Sequence, residues 1–573
     1  MLLRSYWFRQ GALALGHAFC VLWGLSPFDI WPLSFVAVFF LLVAAREQDG
    51  RPWRDIIFSG IFFALALACI SFGWIIFTIH RYTGENALLT GVLTILYALF
   101  FQIKVLFFFL ISRIFFRQAK AVLSTGAAIA AVVALVDALS PELFVWCWGN
   151  TLAGEGHLRQ WAAIGSVYAV SFIAAFGGWI LFRLLVSESG AKIVVRLKRV
   201  VPEFAILGVL IVVGILLRYF PDTANAAKLS TLVIQTNIGA APEARRGDAA
   251  FATDAINRLF NQSAEGLLLH NEATLVVWPE ASMPFHSASQ TAENASLYSA
   301  SLDGVLEYLA RAGGVTVLYQ DMAIESGKLR SRLTARPAPV NPYFKRRLVP
   351  WGEYLPFENL FPRMRRIFPD AGRFVPASEG NEFTLNLAES RARFQSSAQL
   401  AADLTILGNP QEIERRYTSP EKPRKLTVKP LLCYEALFPA DSRIAGAELI
   451  VNLSSDAWFG DGVEGWQHAG AAALRAVENG VPMLRAAMSG VSYVVDNRGD
   501  FIGRVTGQGR PETLHNEIPL AKRFTFFQKF GMGIFYLLMV AAILPYALLR
   551  FKALDTRENK SARPRAGVSL QKN

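Results

Sequence analysis

The sequence predicts a polytopic α-helical membrane domain of about eight spans that carries one extracytoplasmic α/β domain. Three observations lead to this fold class. Hydrophobic residues make up 53% of the 573 residues, and they concentrate at residues 11–220 and 531–549. Basic residues cluster in alternate loops between the apolar stretches. Residues 225–528 have an ordinary soluble composition and alternate strand-like with helix-like patterns.

Eight apolar stretches are candidate membrane spans, because about 20 apolar residues are needed to cross the hydrocarbon core. They lie at residues 11–25, 29–45, 55–79, 87–111, 119–139, 161–186, 203–219 and 531–549. A cleaved signal peptide is the alternative for the first stretch, but no clean small-residue cleavage site precedes the next apolar run. The predicted parts are a seven-span membrane domain at 1–224, a globular domain at 225–528, a last membrane helix at 529–551 and a basic tail at 552–573.

The distribution of Lys and Arg predicts the orientation in the membrane. Basic residues gather before the first span, after the second, fourth and sixth spans, and in the tail, whereas the alternate loops hold little beyond Arg81 and Arg159. The positive-inside rule then places both termini in the cytoplasm and the globular domain on the periplasmic side of a bacterial inner membrane. The same asymmetry explains the net charge of +12, so we expect no nucleic-acid partner.

Strand and helix signals alternate along the globular domain, which implies a layered α/β architecture. Strands are predicted at 229–238, 274–278, 314–319, 425–432, 448–453, 482–487 and 491–496, and helices at 249–270, 296–312 and 465–479. Residues 388–424 are polar and lack a period, so we predict a surface insertion or a mobile loop there.

Two aromatic segments each have two interpretations. The outer loop at 141–161 is rich in Trp and Gly, which is typical of residues at the membrane interface and also of a lipid-facing entrance. The segment at 357–368 mixes Phe with Arg. It is interpreted either as an arm that rests on lipid headgroups or as an ordinary amphipathic surface helix.

Three stretches carry residues suited to catalysis. Glu280 follows the apolar strand that ends in Trp278-Pro279, Lys345 opens a Lys-Arg-Arg-Leu-Val-Pro-Trp-Gly-Glu-Tyr segment, and Cys433 ends the strand at 425–432. Cys433 is the only cysteine in the polar part of the chain, so a structural disulfide has no partner there. Taken singly, a lone cysteine is more often a small buried apolar residue, and His468 is more often structural than catalytic.

In the order Glu, Lys, Cys, these stretches resemble the nitrilase superfamily of carbon–nitrogen hydrolases. The Lys345 segment narrows the resemblance, as do Cys433-Tyr434-Glu435, the stretch at 455–461 and Trp466-Gln467-His468. With eight spans and the globular domain before the last one, the chain is similar to the apolipoprotein N-acyltransferase family, a membrane-bound branch of that superfamily.

The resemblance implies an α-β-β-α sandwich for residues 225–528. It implies transfer of an acyl chain from a phospholipid to the amino group of a diacylglyceryl-cysteine lipoprotein, without metal or cofactor, by a monomer in contact with membrane lipids. Cys433 would be the nucleophile, Glu280 the general base and Lys345 the cation that stabilises the oxyanion. The supporting positions would be Glu353, Tyr434, Glu435 and Trp458.

Some positions depart from the family pattern. Gln235-Thr236-Asn237-Ile238 follows the first strand with no Trp after it, Ser455 stands where the family has Asn, and residues 487–490 read Ala-Met-Ser-Gly. These departures leave two alternatives open. One is a divergent membrane-bound nitrilase-type amidase, or a conjugation-associated paralogue with another acyl acceptor. The other is a catalytically silent membrane scaffold.

Overall fold

The computed structural model describes residues 5–82, 84, 86–116, 123–187, 192–222, 227–239, 248–283, 293–339, 341–368, 371–378, 380–388, 396–407, 409–417 and 424–561. The predicted tail beyond residue 561 and parts of the predicted insertion at 388–424 lie outside these residues. Apolar helices precede the globular domain in the described chain. They are α1 (Tyr6–Gly24), α2 (Leu33–Glu47), α3 (Trp53–Ala66), α4 (Trp74–Tyr82), α5 (Ala87–Phe101), α6 (Lys104–Phe116), α7 (Leu123–Leu139), α8 (Ala162–Phe182) and α9 (Ile193–Arg218).

The globular domain contains further helices and all the named strands. The helices are α10 (Ala249–Leu269), α11 (Glu293–Arg311), α12 (Ser397–Asp403), α13 (Pro410–Arg416), α14 (Pro439–Ser442) and α15 (Glu464–Asn479), and α16 (Phe526–Phe530) and α17 (Met532–Ser561) follow the domain. The strands are β1 (Lys228–Gln235), β2 (Leu275–Val277), β3 (Thr316–Glu325), β4 (Lys328–Arg336), β5 (Tyr343–Phe344), β6 (Phe383–Leu387), β7 (Arg424–Leu432), β8 (Leu449–Ser454), β9 (Met483–Ala487), β10 (Tyr493–Val495) and β11 (Glu512–Pro519).

Several helices of the described chain are long and apolar enough to cross a membrane. The five stretches that meet both criteria are Trp53–Ser71, Ala87–Phe115, Leu158–Val186, Ile193–Arg218 and Met532–Phe551, and Leu123–Leu139 is apolar but shorter. The helices therefore fit a membrane domain, whereas the count of eight spans and their orientation stay predictions.

Two sheets form the centre of the globular domain. The first has the strand order β11-β1-β2-β3-β4-β5, and the second has the order β10-β9-β8-β7-β6. Strands β1, β2 and β3 run parallel, as do β7, β8 and β9. Strands β11, β4, β10 and β6 pair antiparallel to them, and β5 pairs antiparallel to β4. The carboxyl ends of the parallel strands are where such folds present functional side chains.

The two sheets pack face to face between helices. Because successive side chains of a strand point to opposite faces, Val233 of β1 packs toward the second sheet, whereas Leu232 and Ile234 pack with α10 and α11. On the other side, Ile450 and Met483 of the second sheet pack with α15. The layer order is helices, sheet, sheet, helices, which is the predicted α-β-β-α sandwich.

At 388–424, where a surface insertion or a mobile loop is predicted, the described residues form a largely exposed insertion that is packed on the domain and not a loop without secondary structure. Helices α12 and α13 lie there, and Ile413 is fully buried in the core beside α10 and α11. Asp403 is also buried and accepts hydrogen bonds from the hydroxyls of Tyr308, at 3.0 Å, and Tyr417, at 2.6 Å. These contacts fasten the segment to α11, because a buried carboxylate needs hydrogen-bond partners.

Candidate active site

The candidate catalytic residues lie just after strands of both sheets. β2 ends at Val277, three residues before Glu280, and β7 ends directly before Cys433. Lys345 follows β5, and its backbone is held on both sides, since its N–H donates to Ser331 and its carbonyl accepts from Ala377, each at 2.9 Å. The structure thus brings three stretches that are distant in the sequence to one place.

Lys345 is the centre of the site. Its Nζ lies 2.9 Å from Glu280 Oε1 and 2.8 Å from Glu353 Oε1. The Lys345 side chain is only 1% exposed, so both ion pairs are shielded from water. Glu353 is itself held in place, because its Oε2 accepts the backbone N–H of Val349 at 2.8 Å. One ammonium therefore bridges two carboxylates at fixed positions.

Cys433 occupies a strained position at the start of a short 3₁₀ helix. Its φ is +47°, in the left-handed region that residues other than Gly rarely adopt. His468 holds this turn from one side, since its Nε2 donates to the Cys433 carbonyl at 3.3 Å. The cysteine is partly exposed, and its thiol is in electrostatic contact with both Glu280 and Lys345. The geometry places the thiol beside the buried ion pairs.

Glu435 is a buried carboxylate that accepts several hydrogen bonds from the chain around the site. It is 1% exposed, and its carboxylate accepts the backbone N–H groups of Leu432, Arg346 and Arg347 at 2.8 to 3.1 Å. The hydroxyl of Tyr343 donates to the same carboxylate at 2.9 Å. Glu435 therefore ties the Cys433 turn to the chain around Lys345.

Burial and neighbouring charges shift the pKa values of the groups in the candidate site. It raises the pKa of the Glu280 carboxyl, against the lowering effect of Lys345, and the Glu353 charge raises it further. Burial also raises the pKa of the Cys433 thiol, and the Glu280 charge adds to the rise. Burial by itself lowers the pKa of Lys345, but Glu280 and Glu353 outweigh it and raise the pKa well above the ordinary value. The resting thiol is therefore protonated, and the lysine is charged.

A second buried network, which the sequence analysis did not identify, supports Cys433. His468 Nδ1 lies 3.1 Å from Asp456 Oδ1, and Arg485 Nη2 donates to Asp456 Oδ2 at 2.8 Å. Burial tends to raise the pKa of the Asp456 carboxyl, but Arg485 and His468 hold it well below its usual range. Asp456 and His468 belong to the motifs on which the family resemblance rests, so the sequence did indicate that they matter. No sequence pattern indicated a role for the buried Arg485.

Tyr434 and Trp458 lie toward the membrane helices. The Tyr434 hydroxyl donates to the backbone carbonyl of Leu143 in the outer loop. Trp458 is half-buried in the loop after β8, next to Ala457, whose carbonyl accepts from Arg81 at 3.4 Å. The structure thus brings Glu280, Lys345, Glu353 and Cys433 together. It places Glu435 between the Cys433 turn and the Lys345 segment, and Tyr434 at the contact with the outer loop.

Two clusters of the described residues combine side chains that can bind metals. Cys433, Asp456 and His468 form the first, where Asp456 is already engaged by Arg485. The second comprises His270, Glu272 and His515 on the far side of the first sheet. The two imidazoles stack at 4.1 Å with an interplanar angle of 9°. Their lone pairs therefore lie in two nearly parallel, separate planes and do not converge on one ion.

Comparisons with known proteins agree with this architecture. Residues 17–180 match the family model of the apolipoprotein N-acyltransferase N-terminal domain, and residues 398–523 match the carbon-nitrogen hydrolase model. Apolipoprotein N-acyltransferase 1 of Leptospira interrogans is 29% identical over 517 residues, which cover 85% of this chain and 87% of that protein. The apolipoprotein N-acyltransferase of Haemophilus influenzae is 26% identical and covers 92% of each chain.

Among solved structures, a CN-hydrolase superfamily protein from Xanthomonas campestris is similar at 14% identity. The match covers 51% of this chain and 91% of that one, with a TM-score of 0.28, which is too low to support a shared fold by itself. The two family models and the relatives, in contrast, agree along most of the sequence. The chain therefore belongs to the apolipoprotein N-acyltransferase family of membrane-bound acyltransferases.

Proposed function

We propose that this protein transfers a fatty acyl chain from a phospholipid to the N-terminal amine of a diacylglyceryl-cysteine lipoprotein, through a thioester on Cys433. One observation carries the proposal: the Lys345 ammonium lies within 3 Å of both Glu280 and Glu353, beside the Cys433 thiol. A base, a cation and a nucleophile in one buried site are the groups that acyl transfer needs.

The first half-reaction loads the enzyme. Glu280 accepts the Cys433 proton as the sulfur attacks the ester carbonyl of the phospholipid. Lys345 stabilises the oxyanion that forms, an effect for which one donor is typically worth about 3–4 kcal/mol. The carbon–oxygen bond then breaks, and Glu280 returns the proton to the leaving alkoxide. The products are a lysophospholipid and an acyl thioester.

In the second half-reaction, the acyl chain leaves the enzyme. The lipoprotein amine attacks the thioester carbonyl, and Glu280 accepts a proton from the nitrogen. The carbon–sulfur bond breaks, Glu280 returns the proton to the Cys433 sulfur, and an amide is formed. The two half-reactions share one base and one cation, so the kinetics would be ping-pong.

The supporting residues have separate roles in this scheme. Glu353 orients Lys345, and Glu435 fixes the backbone on both sides of the site. Tyr434 joins the nucleophile turn to the outer loop. For Trp458 we propose a place in the wall that faces the acyl chain, because it lies half-buried in the loop that follows β8.

The substrates explain the membrane helices. Both are anchored in the bilayer, and extracting an acyl chain into water costs roughly 0.8 kcal/mol per CH₂. Apolar helices and bacterial relatives make this a bacterial membrane protein. Within it, we propose the division at residues 224 and 528, a monomer with its globular domain in the periplasm, and cytoplasmic termini.

The segment at 357–368 contributes a lipid-contacting surface. Only Pro362–Arg366 of it is helical, as a 3₁₀ turn, so the interpretation as an amphipathic helix is wrong. Phe357, Leu360 and Phe361 are 68%, 71% and 62% exposed. Because exposed apolar side chains next to Arg are typical of segments that enter the headgroup region, this segment is assigned to the membrane surface.

The proposal is tested by intact-mass measurement of the purified protein after incubation with phospholipid alone. We expect a mass gain of one acyl chain that maps to Cys433 and is absent from Cys433→Ala. Cys69→Ala is the matched control, because Cys69 lies in a membrane helix and should leave the adduct intact. Adding a diacylated lipopeptide should then discharge the adduct and yield a triacylated product.

The alternatives give different results in the same experiment. An enzyme that leaves the lipopeptide unchanged but hydrolyses a small amide would be the nitrilase-type amidase. An adduct that another amine discharges would identify a paralogue with a different acceptor. A wild-type protein that never forms the adduct would refute the thioester mechanism and favour the silent scaffold.

A further inference from the structure

The membrane helices contain a buried charge cluster that the proposed chemistry does not use. Lys104 opens α6, and its Nζ lies 3.0 Å from Asp137 Oδ1 and 2.8 Å from Glu142 Oε1. The side chains of all three are at most 3% exposed. Burying three charges among apolar helices is expensive, and such residues within membrane segments commonly have a functional role.

The cluster holds one end of the outer loop. Lys104 Nζ donates to the Trp146 carbonyl at 2.6 Å and lies 3.4 Å from the centre of its ring. Glu142 Oε2 accepts the backbone N–H of Trp146, and Gln102 Oε1 accepts its indole N–H, each at 2.9 Å. Asp137 Oδ2 accepts the backbone N–H of Trp148 at 2.9 Å. Gln102 and Lys104 lie at the break between α5 and α6, so this break supplies the side chains that bind Trp146.

Two residues between these anchors face the catalytic domain. The Leu143 carbonyl accepts the Tyr434 hydroxyl. The Phe144 ring lies 5.9 Å from the His468 ring in an edge-on arrangement, and it packs at 4.7 Å against Trp74. Glu142 and Trp146 flank this pair, so the charge cluster determines where Leu143 and Phe144 lie.

Both contacted residues adjoin the nucleophile. Tyr434 directly follows Cys433, and His468 donates to the Cys433 carbonyl. Cys433 has a φ of +47°, a conformation that persists only where the surroundings enforce it. The contacts run without interruption from Lys104, through the outer loop, to the turn that presents the thiol.

We propose that Lys104 is a positioning residue for acyl transfer: it holds Leu143 and Phe144 of the outer loop against Tyr434 and His468, and thereby fixes the position of Cys433. This inference rests on the proposed role of Cys433 as nucleophile. It assigns to the membrane domain a part in catalysis beyond keeping the enzyme at its lipid substrates.

The test measures the rate of Cys433 acylation by phospholipid in full-length protein reconstituted in vesicles. Lys104→Met removes the charge and keeps a long side chain. We expect kcat for thioester formation to fall about 10- to 100-fold, because misplacing a reacting group by about 1 Å costs up to about 100-fold. The KM for phospholipid should change little, because the Lys104 side chain is fully buried and offers no surface to a lipid. Lys104→Arg keeps a cation, and we expect it to recover part of kcat.

Arg183→Met is the matched control. Arg183 forms another buried ion pair, with Glu203, which joins the end of α8 to α9. The substitution removes the same kind of interaction from the membrane helices, so we expect a similar loss of thermal stability and a kcat within about twofold of the wild type. Tyr434→Phe removes only the hydroxyl that reaches the loop, and it replaces Lys104→Met if that variant does not fold.

The outcomes separate this inference from the proposed function. An unchanged kcat in Lys104→Met, or in Tyr434→Phe where that variant is tested instead, would overturn the positioning role. Equal losses of kcat in Lys104→Met and Arg183→Met would also overturn it. Cys433→Ala, measured in parallel, reports on the proposed function alone. If wild-type protein forms no adduct, the thioester mechanism fails, and the positioning role falls with it.

Discussion

Lys345 lies between two carboxylates whose surroundings differ. Glu280 is 7% exposed and is in electrostatic contact with the Cys433 thiol. The second carboxylate oxygen of Glu353 accepts the backbone N–H of Val349, which keeps the first oxygen directed at Lys345. The first carboxylate is therefore suited to exchanging protons, and the second to holding the ammonium in position.

Glu353→Gln tests this division. The Glu353 charge raises the pKa of Glu280, so its removal should lower that pKa. Because the base must be ionised to accept the thiol proton, the acidic limb of the pH–rate profile for Cys433 acylation should move to lower pH. The maximal rate should fall about tenfold, which corresponds to about 1.4 kcal/mol of transition-state stabilisation.

The control for this profile is Glu517→Gln on β11, which removes an exposed carboxylate paired with Lys228 of β1. It should leave both the limb and the maximal rate unchanged. An acidic limb that stays in place or moves to higher pH in Glu353→Gln would contradict the assignment of Glu280 as the base.

The residues around Lys345 were largely predictable from the sequence, because Glu280 and Cys433 each follow an apolar strand and Lys345 opens a distinctive segment. Their partners were not. Arg485 lies in a predicted strand, and nothing in its neighbourhood indicates that it bonds Asp456, 29 residues away. The contact between Tyr434 and Leu143 joins residues 291 apart, which no local pattern reveals.

Among the elements, strands β4, β5, β6 and β11 escaped prediction, and charged side chains stabilise the first of them. Strand β4 carries four basic residues in nine. It pairs with β3, where Arg332 Nε donates to Asp321 Oδ1 across the ladder at 2.8 Å. In this ladder, cross-strand ion pairs stabilise the strand pairing in place of apolar side-chain pairs. The helices at 249–270 and 465–479 were predicted closely, because their apolar faces have the helical period.

The packed insertion makes a prediction at this scale. Gly304 of α11 faces the insertion so closely that an added Cβ would lie 2.0 Å from the Leu407 carbonyl oxygen. Gly304→Ala should therefore force the segment away and lower the free energy of unfolding by about 1–3 kcal/mol. Thermal unfolding in detergent would measure it.

Gly208→Ala is the matched control for this change, because nothing lies within 4 Å of the carbon it adds in α9. It should be neutral or slightly stabilising, since Ala favours helix more than Gly. Equal stability of Gly304→Ala and wild type would contradict the tight packing of the insertion on α11.

At the scale of the whole molecule, the globular and membrane parts meet on two sides. Near the site, Trp74 Nε1 donates to Gln467 at 2.9 Å. Near the chain connections, Asp500 pairs with both Arg159 and Arg218. These two sets of contacts orient the domain on the membrane helices.

The proposed topology gives the last prediction. Alkaline phosphatase, which is active only in the periplasm, should be active when fused after residue 222 and inactive when fused after residue 573. Green fluorescent protein fused after residue 573 should fluoresce, because it matures in the cytoplasm. The opposite pattern would invert the orientation that the basic loops predict.

The pairing of β1 with β11 has a mechanical consequence. The chain leaves α9 just before β1 and enters α16 just after β11, and these neighbouring strands form one margin of the first sheet, with β5 at the other. The backbone N–H of Leu520 donates to the Ala227 carbonyl at 2.9 Å, so the two connections meet at these residues. Both covalent connections to the membrane helices therefore lie at the same edge of the first sheet. Lys345 follows β5 at the opposite edge, so side-chain contacts such as that of Tyr434 with Leu143, and not the chain connections, hold the site against the membrane part.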